Sequence, residues 1–288
     1  MRVTKLSDAV PRPRRVAVGE FDGVHLGHRE VIRGNDTVLT FEPHPLAVVR
    51  PEAAPKLLTS LDAKAELIAG LGVEELVVIP FDDGFAHQSP QGFIDTILVE
   101  RLQATHVSVG ENFRFGHRAA GDARMLQQQP RFETRVVPLV EVDGEIVSSS
   151  HIRALVLAGE VDAAARFLGA PFRIRGEVVG GDHRGRELGF PTANVVPDEA
   201  LVCPGHGVYA ARAAGTCAAV SVGVRPTFGT GRAVLVEAFL IDREVDLYGQ
   251  TLKIDFVKRL RGERRFDSVD ALVEQMHRDV ELTRSICS

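Results

Sequence analysis

In the first half of the chain, short apolar runs recur at intervals too long for hairpins. Arg15–Val18, Val38–Phe41, Glu75–Ile79, His106–Val109 and Thr134–Pro138 read as strands. They are nearly continuous in apolar character, as strands buried on both faces are. Two helical patterns lie between them, Ser60–Gly70 with Leu61, Ala65 and Ile68 in register, and Ser89–Leu102 with Phe93, Ile97 and Leu98. Ser60 and Ser89 stand where an N-cap belongs, because a hydroxyl can accept from the unpaired N–H groups of a first turn. Strands separated by helices predict an α/β domain with a parallel sheet covered on both faces. In such sheets ligands bind beyond the carboxyl ends of the strands. Gly19–His28, Glu42–Pro45 and Gly110–Gly116 each follow a strand and are expected to converge there.

The pattern is helical from Ser150 to Leu168 and is broken by Gly169-Ala170-Pro171. Beyond that point the grammar changes. Arg173–Val179, Val208–Ala213, Ala218–Val224, Val234–Ile241 and Leu252–Phe256 are β-type runs, with glycine- and proline-rich turns and no helix-length gaps. This predicts an all-β second domain, an antiparallel barrel or sandwich. One amphipathic helix, about Ser268 to Arg284 with Ser268 as its N-cap, closes the chain. The boundary is placed near residue 170, giving domains 1–170 and 171–288. No internal repeat or low-complexity segment is visible.

Composition narrows the class. The 288 residues are 44% hydrophobic and 25% charged, as in ordinary folded protein. A formal net charge of −5 supplies no general field for nucleic acid. One basic run, Lys258 to Arg265, reads as a solvated face or helix end. The three cysteines, Cys203, Cys217 and Cys287, are odd in number and form no CxxC, which argues against a disulfide framework or zinc site and for a reducing, cytoplasmic setting. No apolar stretch is long enough for a membrane helix, so no membrane partner is expected.

The first chemical constellation is GEFDGVHLGH, Gly19 to His28, on the turn after a buried strand. A strand, a glycine-bearing turn and a helix present backbone N–H groups to an anion. His25 and His28 are three apart and share a face where the helix begins. Gly27 removes a side chain that would hold phosphates away. Imidazoles there can donate to α-phosphate oxygens as charge develops on them. A metal pair or an ordinary helix cap would use the same residues, and the motif by itself also suits class I aminoacyl-tRNA synthetases, whose lysine-rich second signature is missing. GENFRFG (Gly110–Gly116) offers Asn112 as a neutral hydrogen-bonding group and Arg114 as a cation. VSSSHIR (Val147–Arg153) places Ser148, Ser149 and Ser150 at a helix start, with Arg153 one turn in.

The second constellation is GGDHRGRELGFPTANV, Gly180 to Val195. Its glycines, Gly180, Gly185 and Gly189 among them, make a loop able to close over phosphates. Pro191, Thr192 and Asn194 follow, offering a hydroxyl and an amide oxygen of the kind that suits Mg²⁺. Glu237 lies inside the apolar run Val236–Ile241. A carboxylate there either faces solvent or, half-buried beside a ligand, serves as a general base.

In order, FDGVHLGH, TFEPHP, GENFRFG and SSSHIR resemble the adenylyltransferase half of the prokaryotic bifunctional riboflavin kinase/FMN adenylyltransferases, the FAD synthetases. GRELGFPTAN, SVGVRPTF, VEAFLI…DLYG and the C-terminal tail resemble the riboflavin kinase half. The resemblance spans residues 15 to 283. It implies a Rossmann-like nucleotidyltransferase domain and a small antiparallel β-barrel with a terminal helix. It implies that Gly19, Phe21, Asp22, Gly23, Gly27, Asn112, Ser148–Ser150 and Arg153 form an ATP site around His25 and His28. It implies that Gly180, Gly185, Gly189, Pro191, Thr192 and Asn194 bind ATP in the kinase half, that Thr192 and Asn194 hold Mg²⁺, and that Glu237 accepts the riboflavin 5′-hydroxyl proton. The small-molecule partners would be riboflavin, FMN, FAD and ATP, and the protein a monomer or weak homo-oligomer. With so little tryptophan and tyrosine, phenylalanines such as Phe228 are candidates to stack on the flavin.

One departure bears on function. Only eleven residues lie between His28 and Thr40, which limits the first helix to about His28–Arg33, ended by Gly34-Asn35. A cramped, weakly anchored crossover is expected, and with it an alternative reading as a riboflavin kinase with an impaired transferase. A non-catalytic flavin sensor and an RNA-binding protein are the readings from other classes.

Overall fold

The computed structural model describes residues 1–180, 188–226, 232–243 and 245–287. They form two compact units, Met1–Ser149 and Ser150–Ser288.

The first unit holds six parallel strands, β1 (Arg2–Lys5), β2 (Arg14–Val18), β3 (Thr37–Glu42), β4 (Glu75–Pro80), β5 (Ala104–Gly110) and β6 (Glu133–Val137). Their order across the sheet is β1-β4-β3-β2-β5-β6. Alternate residues feed two cores. Val16, Val18, Leu39, Phe41, Val77 and Ile79 pack on one face against Phe93, Ile94 and Leu98. Ala17, Val38, Leu76 and Val78 pack on the other against Val31, Ile32 and Ile68. Helices α1 (Leu26–Ile32) and α2 (Leu61–Ala69) therefore cover the second face. Helix α3 (Phe93–Arg101), π-wound, covers the first. Ser60 accepts from the N–H of Ala63 and Ser89 from that of Gly92, so both serve as the expected caps. Strand β1 carried no sequence signal. It is an edge strand with little burial, so neither face imposed a period.

The chain runs β2 to β3 to β4 on one side and then returns to lay β5 on the other side of β2. The order reverses at β2, and that reversal opens a crevice beyond the carboxyl ends of β2 and β5. The first crossover is well anchored, contrary to expectation. Eighteen residues separate Val18 from Thr37, because the connection begins at Gly19 and not at His28. Val31 and Ile32 are buried. Asn35 donates its amide to the carbonyls of Val31 and Ile32, closing α1, and its Oδ1 accepts from Ser108 on β5.

Two helices stand where one was expected, α4 (Ser149–Ala158), all but its first residue in the second unit, and α5 (Val161–Leu168). The break falls at Gly159, whose φ is +82° and where a Cβ would stand 2.6 Å from the Tyr209 hydroxyl. Six antiparallel strands follow, β7 (Phe172–Val179), β8 (Thr192–Pro197), β9 (Gly207–Ala213), β10 (Thr216–Pro226), β11 (Arg232–Leu240) and β12 (Thr251–Arg261). They close in the order β7-β8-β11-β10-β9-β12, a barrel and not a sandwich. Gly176 allows the tight wall, since a Cβ there would meet the Val196 carbonyl oxygen at 2.4 Å. Helix α6 (Val269–Cys287) packs on the outside, and Ser268 accepts from the N–H of Ala271 as its cap. The basic run starting at Lys258 belongs partly to β12 and not to a helix end. Its Arg261 pairs with Asp279 of α6 at 2.8 Å, and Arg259 donates to the carbonyls of Ala158 and His206.

Candidate functional sites

The turn after β2 is built from left-handed residues. Phe21 has φ 52°, Gly23 φ 83° and Val24 φ 42°. A β-branched residue in that region is strained, and such strain persists where the surroundings over-determine it. Here the surroundings do. Asp22 is buried and its carboxylate accepts from the N–H groups of Leu58 and Thr59 at 2.9 and 3.1 Å. The Gly23 N–H donates to the Thr59 hydroxyl at 3.0 Å. Ser149, the last residue of the first unit, donates its hydroxyl to the Asp22 carbonyl at 3.0 Å. Asp22 is thus occupied within the protein as the peg that shapes the turn.

His25 is the N-cap of α1, its Nδ1 accepting from the His28 N–H at 3.2 Å. The two rings stack with centroids 3.5 Å apart and planes 15° from parallel. Phe21 meets His28 edge-on at 5.3 Å. A Cβ at Gly27 would press on the His25 ring at 3.3 Å, and one at Gly19 on the Phe21 ring at 3.0 Å. Both glycines therefore make room for the rings of this turn. Burial pushes His25 down to about 4 and holds His28 well below the ordinary imidazole range. Both rings are neutral at pH 7. Cap and histidine pair, alternatives in the sequence, are one arrangement.

Strand β5 runs parallel to β2, with Ala17 opposite Ser108, so Gly110 leaves the sheet beside Gly19. Asn112 is exposed on the turn that follows. Arg114 opens a two-residue strand. It sits in a two-residue hairpin, 3.6 Å from Asp122. Ser148 precedes α4, and Ser150 and Arg153 lie in its first turns.

Two residues of this site were missed in the sequence. Lys64 of α2 is buried at 3% exposure, and its Nζ lies 3.4 Å from the Thr40 hydroxyl. Thr40 donates to the Glu20 carbonyl at 3.1 Å. Glu20 lies within electrostatic reach of Lys64, Asp22 and Glu42. Burial pushes its carboxyl up to about 8, with Lys64 opposing the rise and Asp22 and Glu42 adding to it. The signal for Lys64 was its spacing. It shares the stripe of Leu61, Ala65 and Ile68, where an apolar residue belongs.

In the second unit, Glu237 on β11 stands directly opposite Asn194 on β8 and Ser221 on β10. Directly paired residues share a face, so Asn194, Glu237 and Ser221 form one polar row across three strands. Val236 and Ala238 point the other way and are fully buried. Thr192 pairs with Phe239, one row along on the face of Glu237. The same face carries a cluster of Phe190, Phe239 and His277, with ring centroids about 5 Å apart. Gly189 has φ 83°, while Gly180 and Pro191 are exposed at the ends of the loop between β7 and β8. Gly185 and Phe228 lie outside the described residues. Among those residues no group of three His, Cys, Asp or Glu side chains is placed to hold a metal ion.

A doubly wound parallel sheet with an HxGH turn at its switch point, followed by a closed six-stranded barrel, defines a nucleotidyltransferase unit joined to a flavokinase unit. Residues 7–151 match the FAD synthetase family model, and residues 168–287 match that of riboflavin kinase. A Bacillus subtilis bifunctional riboflavin kinase/FMN adenylyltransferase is 38% identical, over 92% of this chain and 89% of its own. Its Escherichia coli K12 counterpart is 36% identical, over 98% and 95%. A solved Streptococcus pneumoniae structure, named a macrolide-efflux protein, superposes with a TM-score of 0.90 at 31% identity over 99% of both chains. The chain belongs to the bifunctional riboflavin kinase/FMN adenylyltransferase family. Both halves match, which does not favour a kinase alone. No helix among the described residues is long and apolar enough to cross a membrane.

Proposed function

We propose that the chain phosphorylates riboflavin to FMN with ATP and then joins FMN to the AMP moiety of a second ATP, giving FAD and pyrophosphate. Residues 1–170 carry the second reaction and residues 171–288 the first. The observation that carries the reading is the coexistence of the stacked His25–His28 pair at the sheet's switch point with the Asn194–Glu237–Ser221 row on the barrel wall. The half of the chain that carries each has its own family match.

In adenylyl transfer an FMN phosphate oxygen attacks the α-phosphorus of ATP, and the bond to the bridging oxygen of pyrophosphate breaks. No covalent enzyme intermediate is needed, so catalysis is positioning and charge stabilisation. His25 and His28 donate from neutral rings to phosphate oxygens. Gly19, Phe21, Asp22, Gly23 and Gly27 shape the cradle. Asn112, Ser148–Ser150 and Arg153 complete the nucleotide contacts.

In the kinase half, Glu237 takes the proton from the riboflavin 5′-hydroxyl as that oxygen attacks the γ-phosphorus and ADP leaves. Gly180, Gly185, Gly189 and Pro191 frame the phosphates. Thr192 and Asn194 offer two oxygen donors on one face beside Glu237, a hard donor set that fits Mg²⁺ with phosphate as co-ligand. Bound there, Mg²⁺ would neutralise phosphate charge. The setting is cytoplasmic, the protein a monomer or weak homo-oligomer, with no nucleic acid or membrane partner. Incubating the protein with riboflavin and Mg-ATP and following FMN and FAD by chromatography tests the reading. FMN should appear first and FAD after it. Failure of either to form from a folded protein overturns that half.

A further inference from the structure

Below the histidine pair lies a charged group that the proposed chemistry does not use. Lys64 is a buried ammonium held near Thr40, which in turn bonds the Glu20 backbone. Two buried polar atoms within its electrostatic reach, Oε1 of Glu20 and Nδ1 of His28, have no hydrogen-bond partner among the described residues. The groups facing Glu20 come from three elements: Lys64 from α2, Asp22 from the turn itself and Glu42 from the end of β3. Asp22 is already satisfied by Leu58 and Thr59. Glu20 therefore stands as a carboxyl with unfinished hydrogen bonding on the turn after β2, beside a buried ammonium held by Thr40.

We infer that Glu20 is a positioning residue for FMN adenylylation, setting through Lys64 the positive charge that the site shows to the anionic substrates. This rests on the function proposed above. With its proton on, Glu20 is neutral and does not cancel the charge of Lys64 behind the phosphates. When the proton leaves to solvent, Glu20 cancels that charge and adds an anion beside a phosphate-binding turn. Burial places this change at about pH 8. The effect belongs on KM for FMN more than on kcat, because Glu20 does not touch the reacting atoms.

The test is steady-state FAD formation from FMN at saturating Mg-ATP between pH 7 and pH 9. The FMN phosphate is already a dianion through most of that range, so its own titration contributes little. A group titrating at about 8 that must be protonated for binding raises KM by about tenfold between those limits. Glu20→Gln keeps the shape and cannot ionise, so its KM should stay within about twofold over the range. Lys64→Met keeps the length of the side chain and removes the charge. It should show at pH 7 the weak FMN binding that the unaltered protein reaches only at pH 9. Hydrogen exchange at amides of the parallel sheet reports whether the first unit of each variant is folded, since riboflavin phosphorylation reports on the barrel unit alone. A flat KM in the unaltered protein, or a rise in Glu20→Gln equal to that of the unaltered protein, overturns the inference. If the unaltered protein, with its parallel-sheet amides protected, makes no FAD at any pH, the proposed transferase function fails instead.

Discussion

The His28 backbone N–H donates to Nδ1 of His25 at 3.2 Å while the two imidazoles lie face to face, centroids 3.5 Å apart. An imidazole whose Nδ1 accepts carries its proton on Nε2 when neutral. The capping bond thus fixes the His25 tautomer and leaves Nε2–H to donate to a ligand. Two stacked rings at this separation also disfavour charge on either one. The helix start, the tautomer and the neutral state are one consequence of the His-x-Gly-His spacing.

This separates capping from chemistry at His25. Asparagine is a good cap but lacks a ring donor in the same place. His25→Asn should keep thermal stability near that of the unaltered protein while slowing FAD formation by about a hundredfold, the usual cost of one transition-state donor. His25→Ala should lose the same activity and also about 1 kcal/mol of stability, because the cap goes too. Thermal unfolding measured beside FAD formation checks both, and an Asn variant with full activity would remove His25 from the chemistry.

The two activities should separate cleanly by substitution. Glu237→Gln preserves the polar row with Asn194 and Ser221 but cannot accept a proton. FMN formation should fall by about 10²–10⁴-fold, the range for a lost general base, with FAD formation from supplied FMN unchanged. His28→Asn should do the reverse. Chromatography of both reactions on each variant gives the answer, and loss of both activities from one folded variant would contradict two independent sites.

Much of this was legible in the sequence, for reasons that differ by residue. The buried strands announced themselves because strands covered on both faces have no polar side to break the run. Ser60, Ser89 and Ser268 marked helix starts because a hydroxyl is chosen there for one local bond. Strand β8 is absent from the β-type runs that the pattern predicts for the second domain. Thr192 and Asn194 on one face are polar, and Ala193 and Val195 on the other are too few to set a period. Lys64 and Glu20 were hidden for a related reason. Each breaks the local rule for its place, a cation on an apolar helix stripe and a carboxylate leaving a buried strand, and only the fold brings the two violations together.

Asp22 gives a stability prediction with a local readout. Its carboxylate satisfies the N–H groups of Leu58 and Thr59, and Leu58 is buried. Asp22→Ala leaves these donors unpaired, at a cost of about 3 kcal/mol, since bonds to a charged group are worth more than neutral ones. The loss should fall on the first unit. Hydrogen exchange at the Leu58 and Thr59 amides should quicken at least tenfold while amides of the barrel strands keep their protection. Equal loosening of both units would mean that the peg acts on the whole chain.

The opposing shifts at Glu20 and His25 make a signed statement about stability and pH. His25 lies at about 4 in the folded protein against an ordinary 6.5. The folded state therefore binds its proton less readily, and this stability is present above pH 6.5 and lost as pH falls toward 4. Glu20 lies at about 8 against an ordinary 4.5. Here the folded state holds the proton more readily, so stability falls as pH rises from 4.5 and levels off above 8. Between 4.5 and 6.5 the two slopes oppose each other, and from 6.5 to 8 the Glu20 slope acts without that of His25. Glu20→Gln should remove it. Its advantage over the unaltered protein in urea unfolding should grow from pH 6.5 to 8 and stop growing above that. An advantage that stays constant between pH 4.5 and 9 would show that Glu20 gives up its proton in the folded protein as readily as in the unfolded chain.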